Sequence, residues 1–192
     1  MNKLSRGLIQ VYTGEGKGKT TAALGLALRA LGQGLSVYII QFLKKWSPSG
    51  EIRALKRFPN LYIKRFGSGK FVDIKNPNPK DIKIAQEGFE YAKQIITSGK
   101  YDLVILDEVN LIVAWKFINV DKLLKLIQRR PVHVELVLTG RHAHPKIIAK
   151  ADLVTEMKKI KHYIDKKILA RRWQVPLKLD TQSFLWYPKR NN

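Results

Sequence analysis

The segment "VYTGEGKGKTTAALGLALRALGQG" joins a strand to a helix through a glycine-rich loop, and no other stretch restricts the fold as much. Leu8–Thr13 is a short apolar run that ends at the glycines, which predicts a buried strand and a tight turn. Thr20–Ala30 is rich in Ala and Leu and free of Pro, so it predicts a helix, stopped by Gly32 and Gly34. Leu35–Leu43, "LSVYIIQFL", is β-branched and aromatic and predicts a second strand. Strand, crossover helix and strand make a βαβ unit, which implies a parallel sheet.

The rest of the chain keeps this alternation. A short strand is expected near Leu61–Phe66. Ile82, Ala85, Phe89, Ala92 and Ile96 follow helical spacing and predict an amphipathic helix over 79–98, ended by Gly99. "YDLVILDE" reads as an apolar strand closed by two carboxylates. Val120–Gln128 predicts a helix with Leu123, Leu124 and Ile127 on one face. "VHVELVLTGR" gives a strand and turn, "HPKIIAKA" a short helix, and "DLVTEMKKIKH" a last short strand. From residue 165 onward the periodicity fades. The expected fold is α/β, a doubly wound domain with a mostly parallel sheet. Residues 1–176 would form it, and 177–192, with Trp186 and Tyr187, would be a C-terminal arm.

Composition narrows the classes. At 192 residues and 45% hydrophobic content, one domain with a sizeable core is expected. No apolar run approaches the roughly 18 residues of a membrane span. The first residues, "MNKLSRGLIQ", lack the pattern of an export signal, so a cytoplasmic location is expected. Without cysteine there is no disulfide, no thiolate zinc site and no thiol nucleophile. The formal charge of +21 favours polyanionic ligands, with nucleic acid possible but not favoured over a solvated lysine-rich surface.

Three constellations carry chemistry. In "GEGKGKTT", Gly14, Gly16 and Gly18 free backbone N–H groups to surround phosphate oxygens at a helix N-terminus. Lys19 supplies positive charge, Thr20 a hydroxyl suited to Mg²⁺, and Lys17 a second cation. The common spacing is Gly, four residues, then Gly-Lys-Ser/Thr. Thr13 stands where that first Gly would fall and reads instead as the end of the strand. In "LVILDE", Asp107 or Glu108 at a strand end could hold Mg²⁺, directly or through water. In "LTGRHAH", Thr139 and Arg141 could face the same crevice, with Arg141 on phosphate, or the stretch could be a plain turn. His142 and His144 lack a third spaced metal ligand, and His133 reads as structural. No Gly-x-Ser-x-Gly elbow or Ser/His/Asp pattern is present, so the attacking atom of any transfer would belong to the second substrate.

"YTGEGKGKTTAALGLALRALGQGLSVYIIQFLKK", "YDLVILDEVNLIVAW", "RPVHVELVLTGR" and "ADLVTEMKKIKHYID" together resemble the P-loop ATP:corrinoid adenosyltransferases, from about Arg6 to Ala170. The resemblance implies a P-loop NTPase fold of RecA-like type. It implies that Co(I) of a reduced corrinoid attacks the 5′ carbon of ATP and that triphosphate leaves. Gly14, Glu15, Gly16, Lys17, Gly18, Lys19, Thr20 and Thr21 would then bind the triphosphate, with Lys19 and Thr20 catalytic. Thr20, Asp107 and Glu108 would serve Mg²⁺ or Mn²⁺, while Arg29 and Arg141 would assist nucleotide binding. An electron donor for cobalt and a homodimer are also implied. Members often carry a "GFTW"-like segment that displaces the corrinoid's lower ligand. The matching stretch here is "GSGKFVD", in which Phe71 is either that aromatic or a loop residue on the core. "ARRWQVP", with Trp173, departs from the family's C-terminal pattern. The alternative reading is a RecA-like ATPase associated with nucleic acid.

Overall fold

The structure, a computed structural model, describes residues 5–44, 50–69, 72–74 and 76–166. Phe71, Trp173 and the arm at 177–192 lie outside the described residues. The order of elements is β1 (Ile9–Thr13), α1 (Lys19–Gly32), β2 (Val37–Phe42), α2 (Gly50–Leu55), β3 (Leu61–Phe66), α3 (Pro79–Thr97), β4 (Leu103–Asp107), α4 (Val109–Ala114), α5 (Val120–Arg129), β5 (Glu135–Thr139), α6 (Pro145–Ile148) and β6 (Leu153–Glu156), with a 3₁₀ turn at Tyr163–Lys166.

The strands form one six-stranded sheet in the order β3-β2-β4-β5-β1-β6. Every pairing is parallel, so the expected "mostly parallel" sheet is wholly parallel among the described residues. All strands therefore end at one edge. Side chains alternate between the faces. In β2, Val37 and Ile39 join a cluster with Ala23, Leu24 and Ala27 of α1 and Ile52 of α2. Tyr38, Ile40 and Phe42 join Phe89, Val109, Leu123 and Ile147 from α3 to α6 on the other face. Helices thus cover both faces, as expected of a doubly wound P-loop domain. Ile105, Leu106, Leu136, Val137 and Leu138 of β4 and β5 are fully buried. Each contributes about 1.5–3 kcal/mol, so the centre of the sheet is the firm part, and it fixes where the strand ends lie.

Several boundaries differ from the sequence reading. α1 includes Gly32 as its last residue, and the turn after it has Gly34 at φ 78° and Leu35 N–H donating to Ala30 O at 3.0 Å. Gly34 alone thus supplies the left-handed stop. β5 begins at Glu135, and His133 sits in the preceding turn with Nε2 3.0 Å from Gly99 O, which fits its structural role. α2, α4 and the 3₁₀ turn have no counterpart in the expectations.

Candidate active site

The strand ends set the stage. β5 lies between β1 and β4, so the glycine loop after β1 and the carboxylates after β4 are held one strand apart. Thr13 is the last residue of β1, as read from the spacing, and its Oγ1 accepts from Ala143 N–H at 3.2 Å.

The loop glycines have a purpose beyond freeing N–H groups. A Cβ on Gly14 or on Gly16 would lie 2.6 Å from Met157 O. The segment after β6 therefore presses against the back of the loop, and Gly16 N–H donates to Met157 O at 2.6 Å. That N–H is engaged within the protein, which the phosphate reading of Gly16 did not anticipate. Gly14 and Gly18 adopt φ 92° and 120°, values that favour glycine. The Lys19 ammonium is buried and donates to Gly14 O at 2.6 Å and Gly16 O at 2.7 Å. Burial is the main influence pulling its pKa below the ordinary value.

Thr20 and Asp107 meet. Thr20 Oγ1 donates to Asp107 Oδ1 at 2.9 Å, and Thr139 Oγ1 donates to the same oxygen at 2.7 Å. Asp107 Oδ2 accepts from Gln41 Nε2 at 2.9 Å and from Lys44 Nζ at 2.5 Å. Lys44 Nζ also donates to Thr20 Oγ1 at 3.2 Å. Arg65 Nε extends the chain by donating to Gln41 Oε1 at 3.1 Å. Asp107 is buried, and burial alone would raise its pKa. The Lys44 charge and the hydrogen bonds outweigh this and hold the carboxyl below the ordinary range. Glu108 behaves oppositely: burial, with Asp107 beside it, pushes its carboxyl up. Its φ of 66° turns the chain sharply from β4 into α4, and its N–H donates to Thr139 Oγ1 at 3.0 Å. Asp107, and not Glu108, is thus the carboxylate joined to Thr20.

Arg141 reaches the loop, but through Glu15. Its Nη1 lies 3.0 Å from Glu15 Oε2, and His142 Nε2 lies 3.5 Å from Glu15 Oε1. His144 caps α6 by accepting from Lys146 N–H at 3.1 Å. Both histidines therefore have non-metal partners, and no group of three or more His, Cys, Asp or Glu suited to a metal occurs among the described residues. Lys17 and Thr21 are exposed beside the loop. Arg29 stands apart from this cluster. It is exposed in the last turn of α1, nine residues and about 14 Å along the helix from Thr20, so the fold carries it away from the loop.

Gln41 and Lys44 escaped the sequence reading. A polar residue inside the apolar run "VYIIQFL" was their available signal, because a buried Gln at a strand end needs partners. Lys44 had no signal of its own in a lysine-rich chain.

The loop offers backbone N–H groups and Lys19 to which a polyphosphate could bind, and Thr20 and Asp107 present oxygens that could hold a cation. Comparison with known proteins points to a family named for its use of ATP. Residues 5–173 match the family described as ATP:corrinoid adenosyltransferase BtuR/CobO/CobP. A corrinoid adenosyltransferase of Pseudomonas aeruginosa is 35% identical over 87% of this chain and 82% of its own length. One from Escherichia coli K12 is 35% identical over 86% of this chain and 84% of its own. Corrinoid adenosyltransferase CobA of Salmonella typhimurium is 34% identical over 86% and 84%. None of these relatives supports the nucleic-acid ATPase alternative. The chain belongs to the ATP:corrinoid adenosyltransferase family.

Proposed function

We propose that this chain transfers the 5′-deoxyadenosyl group of ATP to the cobalt of a reduced corrinoid, in adenosylcobalamin biosynthesis or salvage. The electron pair of Co(I) forms the cobalt–carbon bond at C5′. The C5′–O bond breaks, its electron pair leaves on triphosphate, and cobalt becomes formally Co(III). The observation that carries the proposal is the joining of the Lys19 loop to Asp107 through Thr20 at the sheet edge, in a chain of this family.

The residues divide the work. The N-terminus of α1 and Lys19 hold the triphosphate and stabilise the charge gathering on it as it leaves. Glu15 orients Arg141 toward the loop, and Lys17 and Thr21 flank it. Thr20 and Asp107 are the candidate ligands of Mg²⁺ or Mn²⁺. They pass a test of fit, because their facing oxygens already hold the Lys44 ammonium. When bound, the divalent ion supplies further positive charge to the phosphate oxygens. Phe71 remains a proposal for the corrinoid side, as do the homodimer, the electron donor and a cytoplasmic location. No helix among the described residues is long and apolar enough to cross a membrane.

The test mixes protein, ATP, Mg²⁺ and chemically reduced corrinoid, and reads the corrinoid spectrum and the phosphate species together. The adenosylated spectrum with equimolar triphosphate is expected. Inorganic phosphate without a spectral change would sink the proposal. Lys19→Ala should retain the fold and weaken ATP binding by on the order of 100-fold, since two charge-assisted hydrogen bonds become unavailable. Calorimetric titration checks the binding and circular dichroism the fold. Unfolding of that variant would make the lysine a structural tie only.

A further inference from the structure

Lys44 stands where a second cation would have to stand. Its ammonium is 2.5 Å from Asp107 Oδ2 and 3.2 Å from Thr20 Oγ1, the two side chains assigned above to the divalent ion. Three features build that placement. Leu43 follows β2 with φ 59°, an unfavourable value for a leucine, and turns the chain so that Lys44 comes back across the strand end. Gly67, just after β3, gives way to the backbone there, since a Cβ on it would lie 2.6 Å from Lys44 N. Gln41 fixes the carboxylate from the other side and is itself held by Arg65.

We infer that Lys44 is a built-in monovalent counter-cation that competes with the divalent metal for Thr20 and Asp107. The inference rests on the reading of those two residues as the metal site. Two cations cannot share the Asp107–Thr20 gap, so the metal enters only as the ammonium leaves. Metal alone offers the ammonium no new partner. Metal carried by a nucleotide does, because the phosphates are anionic and the lysine stem remains tethered beside them. Lys44 therefore makes metal binding depend on nucleotide. It keeps Asp107 neutralised between turnovers and discourages the free ion from occupying the site ahead of ATP. The groups around it are Asp107, Glu108 and Glu51, which favour its charge.

The probe is Mn²⁺ alone, titrated into the full-length protein without nucleotide and followed by the resonance signal of the free ion. Lys44→Ala should bind Mn²⁺ about tenfold or more tightly than wild type, the scale of one charge-assisted hydrogen bond. Adding ATP should tighten Mn²⁺ binding strongly in wild type and much less in Lys44→Ala. Asp107→Asn placed in the Lys44→Ala background should remove the gain. If Lys44→Ala binds Mn²⁺ no better than wild type while Asp107→Asn still weakens it, competition is refuted and the metal site stands. If Asp107→Asn leaves Mn²⁺ binding unchanged in both backgrounds, the metal site and the inference fall together. Should Lys44→Ala not fold, wild type decides by reductive methylation read by mass spectrometry. Saturating Mn²⁺ should speed the labelling of Lys44, and an unchanged rate overturns the competition.

Discussion

Asp107 and Glu108 are neighbours in sequence with opposite electrostatics. The Asp107 carboxyl lies below its ordinary value of 3.8, whereas that of Glu108 lies above its ordinary 4.5. A depressed carboxylate adds stability that is present above its unfolded pKa and lost as the pH falls through the folded one. A raised one has the reverse sign: it costs stability at neutral pH, and protonation relieves that cost. Acidification should therefore relieve Glu108 first and then, below about pH 4, remove the contribution of Asp107. At pH 7, Glu108→Gln is expected to stabilise the protein in urea titrations. Asp107→Ala should destabilise it by about 2–3 kcal/mol, less than the ~3–5 for a fully buried pair, because the Lys44 side chain is 36% exposed. An acid limb unchanged in Asp107→Ala would place the acid sensitivity elsewhere. The sequence made Thr20, the LDE carboxylates and Arg141 legible, since each sits in a motif. It did not reveal that Arg141 meets Glu15, or that Lys44 and Gln41 close on Asp107. Those contacts join the ends of β2, β4 and β5 with the glycine loop, and only strand order brings them together.

At the scale of elements, the long helices and the central strands were readable because their periodicity extends over several turns or residues. α2 and α4 were not. Each has six residues, too few for a periodic signal, and α4 starts from a left-handed Glu108 without a side-chain cap. Glycines within helices give a sharper test of packing. Gly88 in α3 faces β2 and β3, and a Cβ there would lie 2.7 Å from Phe66 Cγ and 2.9 Å from Phe42 Cε1. Gly25 in α1 is exposed, with no neighbouring atom within 4 Å of such a Cβ. Gly25→Ala should stabilise by about 0.5–1 kcal/mol through helix propensity. Gly88→Ala gains the same propensity but forces two aromatic rings apart, for a net loss of about 1–2 kcal/mol. Thermal melts of the two variants check the contrast. Equal shifts would mean that α3 stands further from the sheet than these distances say.

The whole molecule carries 36 Lys and Arg against 15 Asp and Glu, a formal charge of +21. Strand order, which places the site, has no local signature in the sequence, but this charge was plain from the outset. Self-repulsion on that scale works against the compact state, and salt screens it. Raising NaCl from about 20 to about 200 mM shortens the screening length to below about 10 Å, so the melting temperature should rise. Inorganic triphosphate should raise it further at matched ionic strength if the Lys19 loop of the folded state seats it as proposed. General screening and the seat are separated by Lys19→Ala. That variant should keep the full response to NaCl and lose the extra gain from triphosphate. If it retains the extra gain, triphosphate is acting on the basic surface as a whole, and the loop is not where the leaving group is held.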